Sequence, residues 1–297
     1  MSVYCSRSRS QTGTTLDVYC NVLFVAIRPL RVEELAEVLA VDFDDSEGVP
    51  KLNPSWHWED EEQALLSSCS SLIVTVDADS QRVVQFSHFS VKEFLTSARL
   101  ATSTGHASRY HIMLEPAHTT LAQASLSALL RTGNPIKGPF YSLLARYAAE
   151  HWVSHHQFKN VSSHLRKAME FLFDPDKPHF AAWLQWHHID TVPCRCTFYK
   201  LVPYPKSNAA PLYYARLWGF QDVVEHLIVK YPQHVNARDG HYMSPAVAAL
   251  ARRHFQVANL LHLRGSSVNF QGNAGASPLH FASHTGDLEM VGKLLEY

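Results

Sequence analysis

Histidine and cysteine are the residues of this chain whose types and spacing could support chemistry. The sequence holds 19 histidines and five cysteines. His187 and His188 precede Cys194 and Cys196, and these four side chains offer enough ligands for a zinc ion. However, the spacing is Cys-x-Cys rather than the Cys-x-x-Cys of common zinc sites, and no second cysteine pair accompanies it. We therefore predict no metal site and keep these four ligands as the alternative.

The other patterns that could indicate catalysis are also incomplete. His151 and His155 are four residues apart, but the sequence between them lacks the glutamate of a metalloprotease helix. A phosphate-binding loop needs Gly-x-x-x-x-Gly-Lys followed by Ser or Thr. The nearest match begins at Gly286, is one residue too long, and ends at Leu294, which has no hydroxyl. We predict no catalytic residue, no cofactor and no enzymatic activity.

Composition and charge indicate a folded chain that does not bind nucleic acid. Of its 297 residues, 46% are apolar and 18% are charged, which is ordinary for a globular protein. The net charge is −1. Residues 28–62 hold eleven acidic and three basic side chains, and such a surface would repel phosphates. We predict a solvated or partner-docking acidic face there, carried by Glu33, Glu34, Glu37 and the acidic run at residues 59–62.

The remaining compositional signals concern location. An odd number of cysteines in a chain of this size argues against a disulfide framework and favours a reducing, intracellular and cytoplasmic setting. No apolar run reaches the roughly 18 residues that a membrane span needs, so we predict no membrane partner. Residues 1–14 are rich in Ser, Arg and Thr, and we predict that they are disordered, with a transit peptide as the alternative.

Three similar segments mark the last ninety or so residues as an ankyrin array. Each places a proline at the same point, Pro211, Pro245 and Pro278, and these prolines are 34 and 33 residues apart. Proline fits the first turn of a helix because the N–H that it lacks would have no partner there. Gly219 and Gly286 end the short first helices, whereas Arg253 replaces the glycine in the second repeat. The third repeat is incomplete, and we expect the preceding segment to cover the N-terminal side of the array.

Ankyrin repeats generally bind proteins through their hairpin tips and the exposed side of their first helices. Aromatic residues, methionine and arginine are enriched at the centres of such interfaces. Mapped onto this chain, the predicted partner-binding residues are Leu217, Trp218, His241, Tyr242, Met243, Arg252, Asn273, Ala274, Ala276 and His284. For Trp218, packing against the neighbouring repeat remains an equal alternative.

Upstream, hydrophobic periodicity predicts three helices, a hairpin and a fourth helix, the order of a winged helix. The predicted helices are 15–27, 32–40, 59–69 and 91–98, and the predicted strands are 72–76 and 82–86. We predict that Ser90 caps the fourth helix and forms a capping box with Glu93. Beyond it, helices are predicted at 107–115, 117–131, 140–155, 160–173 and 178–188, with Pro116 as one of the breaks.

Several of these segments together resemble a known family. The runs Ile27–Ala36 and Phe86–Leu95 are similar to the winged-helix region of fungal NACHT–ankyrin signalling proteins, which are NTPases of the STAND class. Tyr147–Trp152 and Leu172–Pro178 resemble the helical connector before their repeats. The predicted fold is mainly α, with a winged-helix-like domain at 15–105, a helical connector at 106–205 and an α-solenoid of ankyrin repeats at 206–297.

The resemblance implies a role in signalling without the chemistry of the family. The nucleotide-binding domain that carries the phosphate loop would precede residue 15 and is missing. In the family a winged-helix histidine contacts the nucleotide phosphate, and His88 matches it here. We predict a non-catalytic module that recognises a protein of unknown identity. Two alternatives are a regulatory subunit that docks on a separate NTPase through the acidic winged helix, and a metal-dependent enzyme that uses the histidine-rich connector.

Overall fold

The computed structural model describes residues 9–43, 49–53, 56, 60–69, 71–78, 81–104, 106–132, 142–186, 210–237, 245–269 and 277–296. The chain divides into two compact units. The first, Met1–Leu172 with Ala181–His187, is called the winged-helix unit below, and the second, Phe173–Phe180 with His188–Tyr297, is called the repeat unit. As predicted, the architecture is mainly α.

The winged helix occupies the first part of its unit. Its elements are α1 (Arg9–Val25), β1 (Leu30–Arg31), α2 (Val32–Leu39), β2 (Val41–Asp42), β3 (Lys51–Leu52), α3 (Glu61–Cys69), β4 (Ile73–Ala78), β5 (Gln81–Phe86), α4 (Phe89–Leu95) and α5 (Ala98–Ala101). Strands β4 and β5 form the predicted hairpin, and β1 adds an antiparallel strand to give the order β1-β5-β4. β2 and β3 form a separate two-stranded sheet.

The start of α4 differs from the prediction. The helix begins at Phe89, two residues before the predicted start, and its cap is His88 rather than Ser90. Nδ1 of His88 accepts a hydrogen bond from the Ser90 N–H at 3.1 Å. An imidazole nitrogen thus takes the place of the usual hydroxyl or carboxylate acceptor, and the predicted capping box at Ser90 is wrong.

Of the helices that follow, three and the last six residues of the fourth belong to the same unit as the winged helix. After a short 3₁₀ helix, His106–Tyr110, come α6 (Leu114–Thr132), α7 (Ala145–His156), α8 (Ser162–Leu172) and α9 (His179–Trp186). Pro116 does not separate two helices as predicted. It lies in the first turn of α6, where its missing N–H costs no hydrogen bond. Trp152 and Trp183 are buried edge to face, and the Trp183 indole N–H donates to the Ala149 carbonyl.

The described part of the repeat unit contains three helical pairs. They are α10 (Pro211–Leu217) with α11 (Gln221–Lys230), α12 (Pro245–Ala251) with α13 (Phe255–Leu263), and α14 (Pro278–Thr285) with α15 (Leu288–Glu296). A 3₁₀ turn, Pro232–His234, follows the first pair. All three first helices begin at the predicted proline. Apolar residues of the second helices, such as Val223, Leu227 and Leu261, are buried.

Candidate protein-interaction surface

The ends of the first helices in the repeats are fixed by their backbone conformation. Gly219 and Gly286 adopt positive φ angles of 73° and 69°, as the sequence predicts for glycines that end a helix. Arg253 occupies the same place in the second repeat and takes a φ of 62°. This conformation costs a residue with a Cβ roughly 1–2 kcal/mol. The second repeat therefore keeps the ankyrin backbone at a local cost.

Side chains join the first repeat to the second. The Asn236 side chain donates to the Gly265 carbonyl at 3.0 Å, and its oxygen accepts the Ser267 N–H at 3.0 Å. Buried Ser266 lies with its hydroxyl 3.4 Å from the Val235 carbonyl. These bonds give a physical reason for the Val-Asn pair that ends the first repeat and recurs as Val268-Asn269 at the end of the second.

The N-terminal side of the array is covered by Phe173–Phe180, which belongs to the repeat unit. The rings of Phe173 and Phe220 meet edge to face, and the ring of Phe180 contacts that of Tyr214. This agrees with the expectation that the segment before the repeats covers them.

Asp174 anchors this covering segment to the first repeat. Its carboxylate accepts hydrogen bonds from the Tyr231 hydroxyl at 2.7 Å and from the Lys230 ammonium at 3.0 Å. Burial alone would raise the pKa of Asp174, but the hydrogen bonds from Tyr231 and Lys230 outweigh it and the pKa is lowered. This contact could not be predicted from the sequence, because nothing local to Asp174 indicates a partner more than fifty residues away.

Four of the predicted partner-binding residues lie in described parts of the chain. Arg252 and His284 are exposed. Trp218 is half-buried, and its ring contacts those of Tyr214 and Phe220, so part of it packs within the repeat. Leu217 is buried, with 2% of its surface exposed. Leu217 therefore does not belong to the exposed face on which the sequence analysis placed it.

The other six predicted residues, His241, Tyr242, Met243, Asn273, Ala274 and Ala276, lie outside the described residues. Trp218 and Arg252 hold equivalent places at the ends of consecutive first helices, 34 residues apart. His284 lies one residue before the equivalent place in the third repeat, and we call these three residues the first-helix face. It offers one aromatic ring, one permanent cation and one imidazole, a composition suited to binding protein.

The predicted acidic face of the winged helix is smaller than expected. Glu34 is buried, with 1% of its surface exposed, and forms a bidentate ion pair with Arg28 at N–O distances of 2.6 and 2.7 Å. Glu37 is also buried and accepts from the Leu144 N–H at 2.8 Å and from Arg131 at 3.0 Å. These two carboxylates point inward to partners, so the prediction of a solvated face was wrong for them. Glu33 is exposed, as predicted.

A hydrogen-bonded group of histidines fills part of the interior of the winged-helix unit. The Tyr147 hydroxyl accepts the Ile27 N–H and lies 2.9 Å from Nε2 of His155. Nδ1 of His155 lies 2.8 Å from Nδ1 of His118. Burial lowers the pKa of His155 to about 3, with smaller contributions from His118 and His151. A neutral His155 has one N–H donor and one acceptor nitrogen, and its tautomer decides which of the two faces the Tyr147 hydroxyl and which faces His118.

This arrangement gives His155 a structural role and no free nitrogen for a metal. No group of three or more potential ligands among His, Cys, Asp and Glu is placed to hold a metal ion within the described residues. His187, His188, Cys194 and Cys196 lie outside those residues. Across the described part of the chain, no helix has both the length and the apolar character that crossing a membrane requires.

Comparison with known families agrees with these two folds. Residues 10–107 match the model of the winged helix domain of GPI inositol-deacylase. Residues 274–297 match the model of the ankyrin repeat. No curated protein matches the chain. The winged helix and the ankyrin repeat, both predicted from the sequence, are thereby confirmed.

Proposed function

We propose that this chain is a non-catalytic protein-recognition module of a NACHT–ankyrin-like signalling protein, with the first-helix face as its binding surface. The observation that carries the proposal is the repeat unit. Its repeats stack through Asn236, are covered by a segment anchored through Asp174, and leave Arg252 and His284 exposed. A rigid array with outward-facing polar and aromatic side chains is suited to holding a partner protein.

The order of the elements supports a link to NACHT–ankyrin proteins. A winged helix comes first, packed helices follow, and ankyrin repeats come last. In such proteins the winged helix belongs to the switch between nucleotide state and sensor. In this proposal the repeats of the present chain are the sensor arm.

The buried carboxylates argue against the regulatory-subunit alternative in its original form. That alternative relied on an acidic docking face, but Glu34 and Glu37 are neutralised inside the unit by Arg28 and Arg131. The metal-dependent enzyme would be supported by stoichiometric zinc in a purified, chelator-washed sample. We expect none.

Affinity capture with the full chain as bait tests the proposal. Proteins recovered by the parent should be lost with the double variant Arg252→Glu/His284→Ala, because it alters two exposed residues of the first-helix face. The matched control is Gln256→Ala/Asn259→Ala, which alters two exposed positions on the second helix α13. A set of recovered proteins that is the same for all three baits would contradict the proposal.

A further inference from the structure

Exposed apolar side chains of the winged-helix unit gather around α4. Ile27, Phe89, Phe94 and Met113 each expose half or more of their surface. Phe89, at the first position of α4, is 69% exposed. Single exposed apolar residues are common, but a group of large ones usually marks an interaction surface.

Two hollows lie beside α4 and are lined in part by these residues. The first, of about 330 Å³, lies between the end of α1, β5 and α4, and is called the cationic hollow. Ile27, Arg28, His88, Phe89 and Lys92 are among its lining residues.

The second hollow, of about 780 Å³, is called the apolar hollow. Phe24, Ile112, Met113 and Leu114 are among its lining residues. Glu115 also lines it, and its carboxylate accepts a hydrogen bond from the Asn160 side chain at 3.0 Å. The two hollows are neighbours, because the Lys92 ammonium of the first lies 4.8 Å from the centre of the Phe24 ring of the second. Together they form one surface, which is mainly apolar at the second hollow and carries a cation at the junction.

The charge of this surface has one sign at the cationic hollow. Lys92 is exposed, Arg28 is half-buried, and the described residues that line this hollow include no aspartate or glutamate. Glu34 neutralises Arg28 from the buried side, so Lys92 supplies the accessible positive charge. Glu93, on the same helix, is not part of the lining. A bound segment should therefore place carboxylates next to Lys92.

We infer that the two hollows form a docking site for an acidic amphipathic helix of a partner protein. Apolar side chains of that helix, spaced one turn apart, fill the hollows. Its carboxylates lie against Lys92. Concave hollows suit projecting side chains, whereas a lipid surface would be met by a convex or flat apolar patch.

The test uses the immobilised full chain and a display library of peptides with randomised residues on a helical frame. We expect enriched peptides to carry leucine or aromatic residues one turn apart and an excess of Asp and Glu. Their affinity, measured by fluorescence anisotropy, should fall at least about tenfold with Phe89→Ala and with Lys92→Glu. The matched control is Phe171→Ala, an exposed phenylalanine on α8 that lines neither hollow, which should leave the affinity unchanged.

Three results would overturn the inference. One is an enriched set without acidic bias, or no enrichment at all. Another is binding that is the same for the parent and for Phe89→Ala. The third is sedimentation with vesicles of phosphatidylserine and phosphatidylcholine that depends on Phe89 and Lys92, which would assign the surface to lipid. Because Phe89 and Lys92 are both exposed, these variants should fold, and circular dichroism checks this.

Discussion

The imidazole of His254 packs directly against the bare Cα of Gly219, joining the second repeat to the first. A Cβ added at Gly219 would lie 2.4 Å from Nδ1 of His254, and Gly219 also has a φ of 73°. Glycine is thus required twice at this position, by its backbone angle and by the ring above it. The contact provides a sensitive test of how the repeats stack.

We expect Gly219→Ala to destabilise the repeat unit by more than the roughly 1–2 kcal/mol of its backbone strain. The matched control is Gly265→Ala, at a position with a φ of 82° where no atom of the described residues lies within 4 Å of the added Cβ. Urea unfolding of the two variants measures the difference. Adding His254→Ala should remove the excess cost at Gly219. Equal destabilisation by Gly219→Ala and Gly265→Ala would show that His254 does not pack as described.

Arg253 is expected to carry strain that glycine would relieve. Its φ of 62° is left-handed, and its ion pairs with Asp287 and Glu289 lie at the surface, where such pairs contribute at most about 1 kcal/mol. Arg253→Gly should therefore be more stable than Arg253→Ala by about 1 kcal/mol, since both lose the ion pairs and only glycine loses the strain. Thermal unfolding compares them. If alanine proves as stable as glycine, this position is not strained.

Glu37 is expected to contribute to stability although it is charged. Glu37→Ala leaves the buried Leu144 N–H and part of Arg131 without an acceptor, and should cost about 2–3 kcal/mol. Glu33→Ala, on the exposed side of the same helix, should change the free energy of unfolding by no more than about 0.5 kcal/mol. Similar effects of the two substitutions would contradict the inward orientation of Glu37.

Two buried histidines predict a loss of stability in acid. Burial lowers the pKa of His155 to about 3 and that of His156 to about 4, both below the ordinary value of 6.5. Below pH 6.5 the unfolded chain binds protons that the folded chain does not bind until the pH falls to these low values. Stability should be complete above that pH and fall between about pH 6 and pH 4, by up to about 1.4 kcal/mol per pH unit for each group.

The variant His156→Gln separates this effect from general acid sensitivity. It should reduce the slope of the unfolding free energy against pH by the contribution of one group, whatever it does to stability at neutral pH. Urea unfolding between pH 4 and pH 7 gives the slope. A slope identical to that of the parent would mean that His156 does not stay neutral in the folded chain.

Local patterns predicted most of the fold, and distant contacts account for what they missed. The hairpin and the repeat helices follow from alternation, helical period and the recurring proline, all of which act over a few residues. The burial of Glu37 depends on Arg131, 94 residues away. Residue type alone therefore predicted exposure for a carboxylate that is inside. Likewise, Leu217 has the sequence position of an exposed first-helix residue, yet only 2% of its surface is exposed.

The early start of α4 has a different cause. Histidine is not among the usual capping residues, so the hydrogen bond from Ser90 N–H to His88 could not be predicted from residue type. The same holds for β1 and β2, whose two-residue length carries no periodic signal. The spacing of the repeats placed Trp218 and Arg252 on the first-helix face. That Trp218 is half-buried depends on packing, which the spacing does not reveal.

Hydrogen–deuterium exchange of the full chain, with and without a partner recovered by affinity capture, tests the central claim most directly. A partner bound at the first-helix face should slow exchange in peptides that cover α12 and α14, and Arg252→Glu/His284→Ala should abolish that protection. Protection confined to α4 and its neighbours, or none anywhere in the repeats, would contradict the claim that the ankyrin repeats are the recognition surface.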